Sequence, residues 1–155
     1  MSTLEVKAIA APVGYTLAMP AGHIIQVVST TTSTKTSTSS TSYVDTAITA
    51  DITPSATSSK IMVFVTISGV SAPSSLSAVS FGLFRDSSEI YNNINYLYNQ
   101  TAPANGEFSL STLDSPSSTS SLTYLVKFKN REANAIDVNT YTGDDSTITL
   151  MEVAG

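Results

Sequence analysis

Residues 60–70 read KIMVFVTISGV, and the alternation inside this stretch decides the fold. Ile61, Val63, Val65 and Ile67 fall on one side of an extended chain and Met62, Phe64 and Thr66 on the other, because successive side chains of a strand point to opposite faces. Both sides are largely apolar, as suits a central strand covered above and below. The same period of two returns in SLTYLVKFK at 121–129. There Leu122, Tyr124, Val126 and Phe128 alternate with Thr123, Leu125, Lys127 and Lys129, a half-buried strand whose lysines mark the solvent face. SYVDTAI at 42–48, SAVSFGLFR at 77–85, AIDVNTY at 135–141 and TITLMEV at 147–153 read the same way with less contrast. No long stretch carries the 3.6-residue period of an amphipathic helix, and Pro54, Pro73, Pro103 and Pro116 punctuate the gaps. The expected fold is all-β: an antiparallel β-sandwich of jelly-roll type.

Turn chemistry fits that expectation. Asn105-Gly106 is the dipeptide that type I′ hairpin turns favour. Gly143-Asp144-Asp145 spaces two strand candidates as a tight hairpin does, and Thr53-Pro54-Ser55 marks a turn before the long strand.

The chain has 155 residues, enough for one domain or one domain with an arm. A chain of this size buries roughly two-thirds of the surface its unfolded form exposes, so it holds a core without staples. It contains no Cys and a single His, which excludes disulfides, thiolate sites and His pairs within one chain. Seven Lys and Arg against twelve Asp and Glu leave a net charge of -5. Nucleic acid is not an expected partner, because phosphate tracking needs clustered cations. Ser and Thr together make roughly 30% of the chain, more than the share of about 25% that Asp, Glu, Lys and Arg hold in an average protein. Hydroxyls in place of surface charge suit an all-β protein that works outside cells or on a virus. No signal peptide is expected at the start, and the apolar run at 60–70 is too short and too interrupted for membrane insertion.

Two segments differ from the rest. Residues 1–28 are expected to be an extended N-terminal attachment arm and 29–155 the sandwich domain. The arm's apolar residues, among them Leu4, Val6, Ile9 and Tyr15, are too many for a tail left in water; with His23 they are the candidate attachment and oligomer contacts. Residues 29–42, STTTSTKTSTSSTS, are either a flexible linker or an edge strand with a hydroxylated outer face.

Candidate chemistry is sparse. His23 follows Pro20-Ala21-Gly22 and no Ser sits in a nucleophile elbow, so His23 reads as a turn or interface residue. On a threefold axis it could also meet its symmetry mates around a metal. Asp144-Asp145 offers oxygen ligands but lacks the spacing of a calcium loop, and a solvated turn is the simpler reading. Neither metal nor cofactor is therefore expected, and no catalytic residue is assigned. YNNINYLYNQ at 91–100 stands out in composition. Tyr91, Asn93, Tyr96 and Tyr98 combine rings for sugar CH faces with amides for sugar hydroxyls, a candidate glycan site. The same mixture suits packing against a neighbouring subunit.

The phrases MSTLEVKAI at 1–9, PAGHIIQVV at 20–28, TSYVDT at 41–46, ITPSATSSKIMVFV at 52–65, GLFRDSSEIY at 82–91, LDSPSSTSSLTYLVKF at 113–128 and STITLMEV at 146–153 resemble, in order and over nearly the whole chain, a group of bacteriophage virion proteins. These are tail-fibre or structural proteins of marine and freshwater phages. In longer relatives further repeats separate the start from the C-terminal module, so this chain resembles a compact version. The resemblance implies a non-enzymatic protein on the exterior of the virion: tail fibre, head fibre or capsid decoration. Its implied partners are two sister copies in a homotrimer, other virion proteins and, in a receptor-binding tip, a host surface glycan.

Overall fold

The computed structural model describes residues 20–99, 101 and 103–155. The candidate arm residues Leu4, Val6, Ile9 and Tyr15 lie outside them. The described residues are all-β, with ten strands: β1 (Ile24–Thr32), β2 (Thr36–Thr38), β3 (Val44–Ile52), β4 (Lys60–Ala72), β5 (Ser77–Arg85), β6 (Ser88–Asn99), β7 (Ala104–Asp114), β8 (Leu122–Asn130), β9 (Ile136–Val138) and β10 (Ser146–Val153). Two antiparallel sheets pack into a β-sandwich. The larger runs β1-β10-β4, with β7 along the far side of β4 and the short β9 and β2 beyond β10's end; the smaller runs β3-β8-β5-β6.

Period two is literal in the packing. Ile61, Val63, Val65 and Ile67 of β4 are buried and meet Ile148 and Leu150 of β10 and Phe108 and Leu110 of β7 from the same side. The smaller sheet answers with Val79, Phe81 and Leu83 of β5 and Tyr124, Val126 and Phe128 of β8. Phe81 stacks on Phe108 at 4.9 Å between ring centroids, and Tyr96 closes on Phe108 edge-on at the same distance, contacts that add about 0.5–1.5 kcal/mol each beyond their buried area.

The strands pair in nested fashion: β1 with β10, β3 with β8, β4 with β7 and β5 with β6. This is the pairing of one long antiparallel ribbon folded back on itself, with the β5–β6 turn at its tip.

The hydroxyl-rich segment 29–42 is neither a linker nor one strand. Its first part continues β1, so the expected boundary at residue 28 falls inside a strand, and Ile24 to Val28 belong to the sheet. The rest turns into β2, which pairs with β9. Buried Asn139 fixes the turn by donating to the carbonyls of Thr32 and Thr34, both at 3.1 Å. Its own carbonyl accepts from the Ser146 hydroxyl at 2.5 Å.

Asn105-Gly106 is not a turn. Both residues lie in β7, opposite Ser71 and Val70, where β4 has an irregularity between Ile67 and Val70. The turn propensity of the dipeptide is overridden by the continuous pairing of β7 along β4. Within that irregularity Gly69 adopts φ +57°, and a Cβ built on it would sit 2.7 Å from the Thr140 amide nitrogen and on top of the Asp144 carboxylate. Asp144 cannot retreat freely, since it accepts from the Tyr141 amide at 2.7 Å. Gly69→Ala combines left-handed strain with a backbone clash and is expected to cost about 2–3 kcal/mol, read as a lower urea midpoint with an unchanged slope. A loss below 0.5 kcal/mol would mean this corner is not tight.

Candidate interaction face

The outer faces of the two sheets are finished differently. On the smaller sheet, charge closes the surface. Asp45 and Lys127 pair across β3 and β8 at 2.8 Å, and Thr123 donates to Asp51 at 2.6 Å. Lys127 and Lys129 reach over the rings of Phe84 and Tyr43 at 4.9 and 4.2 Å. Those two rings meet edge to face at 5.3 Å, and Tyr43 lies across Gly82, where an added Cβ would stand 3.0 Å from the ring. Burial, helped by Glu89, raises the Tyr43 phenol above its ordinary pKa. Apolar surface on this sheet is covered by the chain's own aromatic and cationic side chains.

The larger sheet has no such finish. Inward residues alternate with outward ones along β10 and β4, and the register lines the outward ones up across strands. Val27, Met151, Met62 and Leu113 form one row, each opposite the next. Ser29, Thr149, Phe64 and Ser111 form the second row, and Thr31, Thr147, Thr66 and Ser109 the third. Val27 is 54% exposed, Leu113 51% and Phe64 41%. Ile24, opposite Val153, extends the apolar row toward the chain start. In the other rows hydroxyls meet hydroxyls: Ser29 with Thr149 at 2.8 Å and Thr31 with Thr147 at 3.2 Å. Lys60, opposite Val153, ends the row that Ile24 begins, and the charged outward residues Glu107 and Asp145 stand outside these rows. This face is graded from apolar to hydroxylic, with little charge across its middle.

At the apolar end of that face the residues just before β1 meet those just after β10. Gly22 donates to Ala154 O at 2.7 Å, and Ala154 donates to His23 O at 2.8 Å. His23 is exposed and turns its ring back to Pro20 O, with Nδ1 at 3.1 Å. On the inner side of the same pole Gln26, Glu152, Ile61 and Asp114 form a cross-strand row. Burial pushes the Glu152 carboxyl up, but donors outweigh it and hold its pKa below the ordinary value. These are the Ser55 hydroxyl at 2.6 Å, the Gln26 amide at 2.6 Å, the Ser59 hydroxyl at 2.7 Å and the Ser55 backbone N–H at 2.7 Å. Asp114 accepts from Arg85 at 2.5 Å and from the Tyr124 hydroxyl at 2.7 Å. Both carboxylates are thus occupied by protein donors and bind the sandwich together. Among the described residues no group of His, Asp or Glu is placed to hold a metal ion.

The candidate glycan residues are not brought together. Tyr91 packs against the core, and so does Tyr96, whose hydroxyl donates to Glu107 O. Burial raises the Tyr96 phenol, with Glu107 adding to the shift. Asn93 lies opposite Phe81, whereas Tyr98, opposite Ala78, is 47% exposed. Tyr98 is the most exposed of the three tyrosines.

What the sequence reading missed is the row through Val27, Met151, Met62 and Leu113. Its signal was parity: in STITLMEV the residues that alternate with Ile148 and Leu150 end in Met151 and Val153 rather than in charge. Compared with models of known protein families and with curated proteins, the chain matches none.

Proposed function

We propose that the chain is a non-enzymatic structural protein of a bacteriophage particle. In this reading it forms a homotrimeric appendage or decoration on the virion exterior, as tail fibre, head fibre or capsid cement. Of the arm expected over residues 1–28, the part before β1 attaches it to other virion proteins. The observation that carries the reading is the pole where Gly22 and His23 are tied to Ala154: residues 1–19 lead into the sandwich there, so attachment through them leaves the rest projecting. The hydroxyl-rich surface with its small share of charged residues supports the same reading, because it limits nonspecific adhesion by charge. The nested pairing of β1 with β10, β3 with β8, β4 with β7 and β5 with β6 supports assigning the sandwich to the jelly-roll type, built on two Greek keys.

Purified particles of the phage that encodes the chain are the test. Quantitative mass spectrometry is expected to find the protein in particles at a copy number divisible by three. A version lacking residues 1–19 is expected to fold, by its β-type circular dichroism, and to be left out of particles. Protein confined to the infected-cell lysate sinks the reading, and incorporation of the shortened chain sinks the arm.

A further inference from the structure

We infer that a second copy of this chain covers the outer face of β1, β10, β4 and β7, centred on the row Val27, Met151, Met62 and Leu113. The inference rests on the reading of the chain as a self-assembling structural protein and names the surface that reading needs. Chemistry argues for a copy rather than another partner. Apolar groups associate like with like, and a hydroxyl is both donor and acceptor, so a face built from these two kinds of group is complementary to itself. A face of ammonium or carboxylate groups is not, since like charges placed opposite each other repel. The three rows through Met62, Phe64 and Thr66 hold only the first two kinds.

Size agrees. Four strands about 4.8 Å apart, each showing three outward residues about 6.7 Å apart, make a flat area of roughly 400 Å². Side chains standing from that plane bring the accessible area toward the roughly 800 Å² per partner that a stable interface buries. The contrast within one molecule is the strongest argument. The smaller sheet covers its outer aromatic surface with Lys127, Lys129 and Asp45, whereas Phe64 and Leu113 on the larger sheet receive no such cover.

The test uses the purified full chain, apart from any particle, so that it stands or falls separately from the virion reading. Analytical ultracentrifugation of the wild type at 10–50 μM (roughly the range where interfaces of this size associate) is expected to show an oligomer. Val27→Lys combined with Leu113→Lys is expected to weaken association at least a hundred-fold, while Lys127→Glu on the opposite sheet leaves it within about three-fold. Both replaced side chains are more than half exposed in the single chain, so folding is expected to survive. A second measurement needs no charge change. The chain has no Cys, so Leu113→Cys gives a single thiol, and its maleimide labelling is expected to slow at least ten-fold between dilute and concentrated protein. A monomeric wild type, an oligomer that persists in the double variant, or labelling that ignores concentration overturns the inference.

Discussion

Glu152→Ala is expected to be among the most damaging single substitutions in this protein, lowering stability by roughly 3 kcal/mol at neutral pH. The carboxylate is fully buried and is held by Ser55, Ser59 and Gln26. A hydrogen bond to a charged group contributes about 1.5–3 kcal/mol, and a buried donor left unsatisfied costs about 1–3 kcal/mol. The hydroxyls can rotate to other acceptors after the substitution, but the Ser55 backbone N–H cannot. Gln26 tethers β1 to this site, and Ser55 and Ser59 tether the β3–β4 connection, so the damage spreads to the pole where Gly22 and His23 meet Ala154. Glu152→Gln keeps the shape and one carbonyl but turns an NH₂ toward donors; about 2 kcal/mol is expected.

The same site sets a pH dependence with a definite sign. Because the folded-state pKa of Glu152 lies below its ordinary value of 4.5, its stabilisation is complete above that value and is lost as pH falls through the folded-state pKa. Wild type and Glu152→Gln are therefore expected to differ most near neutrality and to converge in acid, as the wild-type carboxyl takes up its proton. Urea midpoints measured from pH 7 down to pH 3 check this. A gap that stays constant over the range would show that Glu152 does not carry the charge assigned to it.

The core was legible in the sequence because burial and alternation are one signal. The alternating residues of 60–70 and 121–129 are the buried faces of β4 and β8. β1 was hidden because Ile24 and Ile25 are apolar while residues 29–32 are hydroxylic. The strand therefore shows no alternation, and its place comes from pairing with β10 rather than from its own pattern. Burial of β5 on both sides was equally hidden: Gly82 and Ser80 gain their cover from Tyr43 and its neighbours, far away in the chain. The tyrosine-rich segment left its orientation open for a related reason. Its composition is the same whether a ring faces Phe108 or water, and only the irregular pairing of β6 between Asn93 and Leu97 decides which. The polar rows at the pole could not be found locally, since Glu152 and Asp114 draw their partners from β1, β5, β8 and the β3–β4 connection.

Asp114→Ala is expected to cost about 2–4 kcal/mol, because it opens the contact that closes one end of the sandwich. Asp114 ends β7 in the larger sheet, while Arg85 and Tyr124 face each other across β5 and β8 in the smaller one. One carboxylate oxygen accepts from both. The Tyr124 phenol is fully buried, and burial, reinforced by Asp114, pushes its pKa far above the ordinary value; it remains a neutral donor throughout the accessible pH range. The hydrogen bond that Arg85 donates to Asp114 likewise raises the Arg85 pKa, and the guanidinium stays charged. Removing the acceptor strands a buried hydroxyl and a guanidinium whose side chain is 23% exposed. Breaking a fully buried ion pair costs about 3–5 kcal/mol, and water at Arg85 reduces that figure. Tyr124→Phe alone removes one donor without stranding a charge, and about 1 kcal/mol is expected. In the double variant the losses are expected to fall short of additivity by at least 0.5 kcal/mol, as they do for groups sharing a partner. Lys127→Ala supplies the contrast: its partner Asp45 is 63% exposed, and exposed pairs contribute about 0–1 kcal/mol. Raising the ionic strength to 1 M should erase most of the Lys127 effect and leave the Asp114 effect nearly intact, since partly buried pairs are screened far less. Equal salt sensitivity at the two sites would show that Asp114 acts as a surface charge and not as the bolt between the sheets.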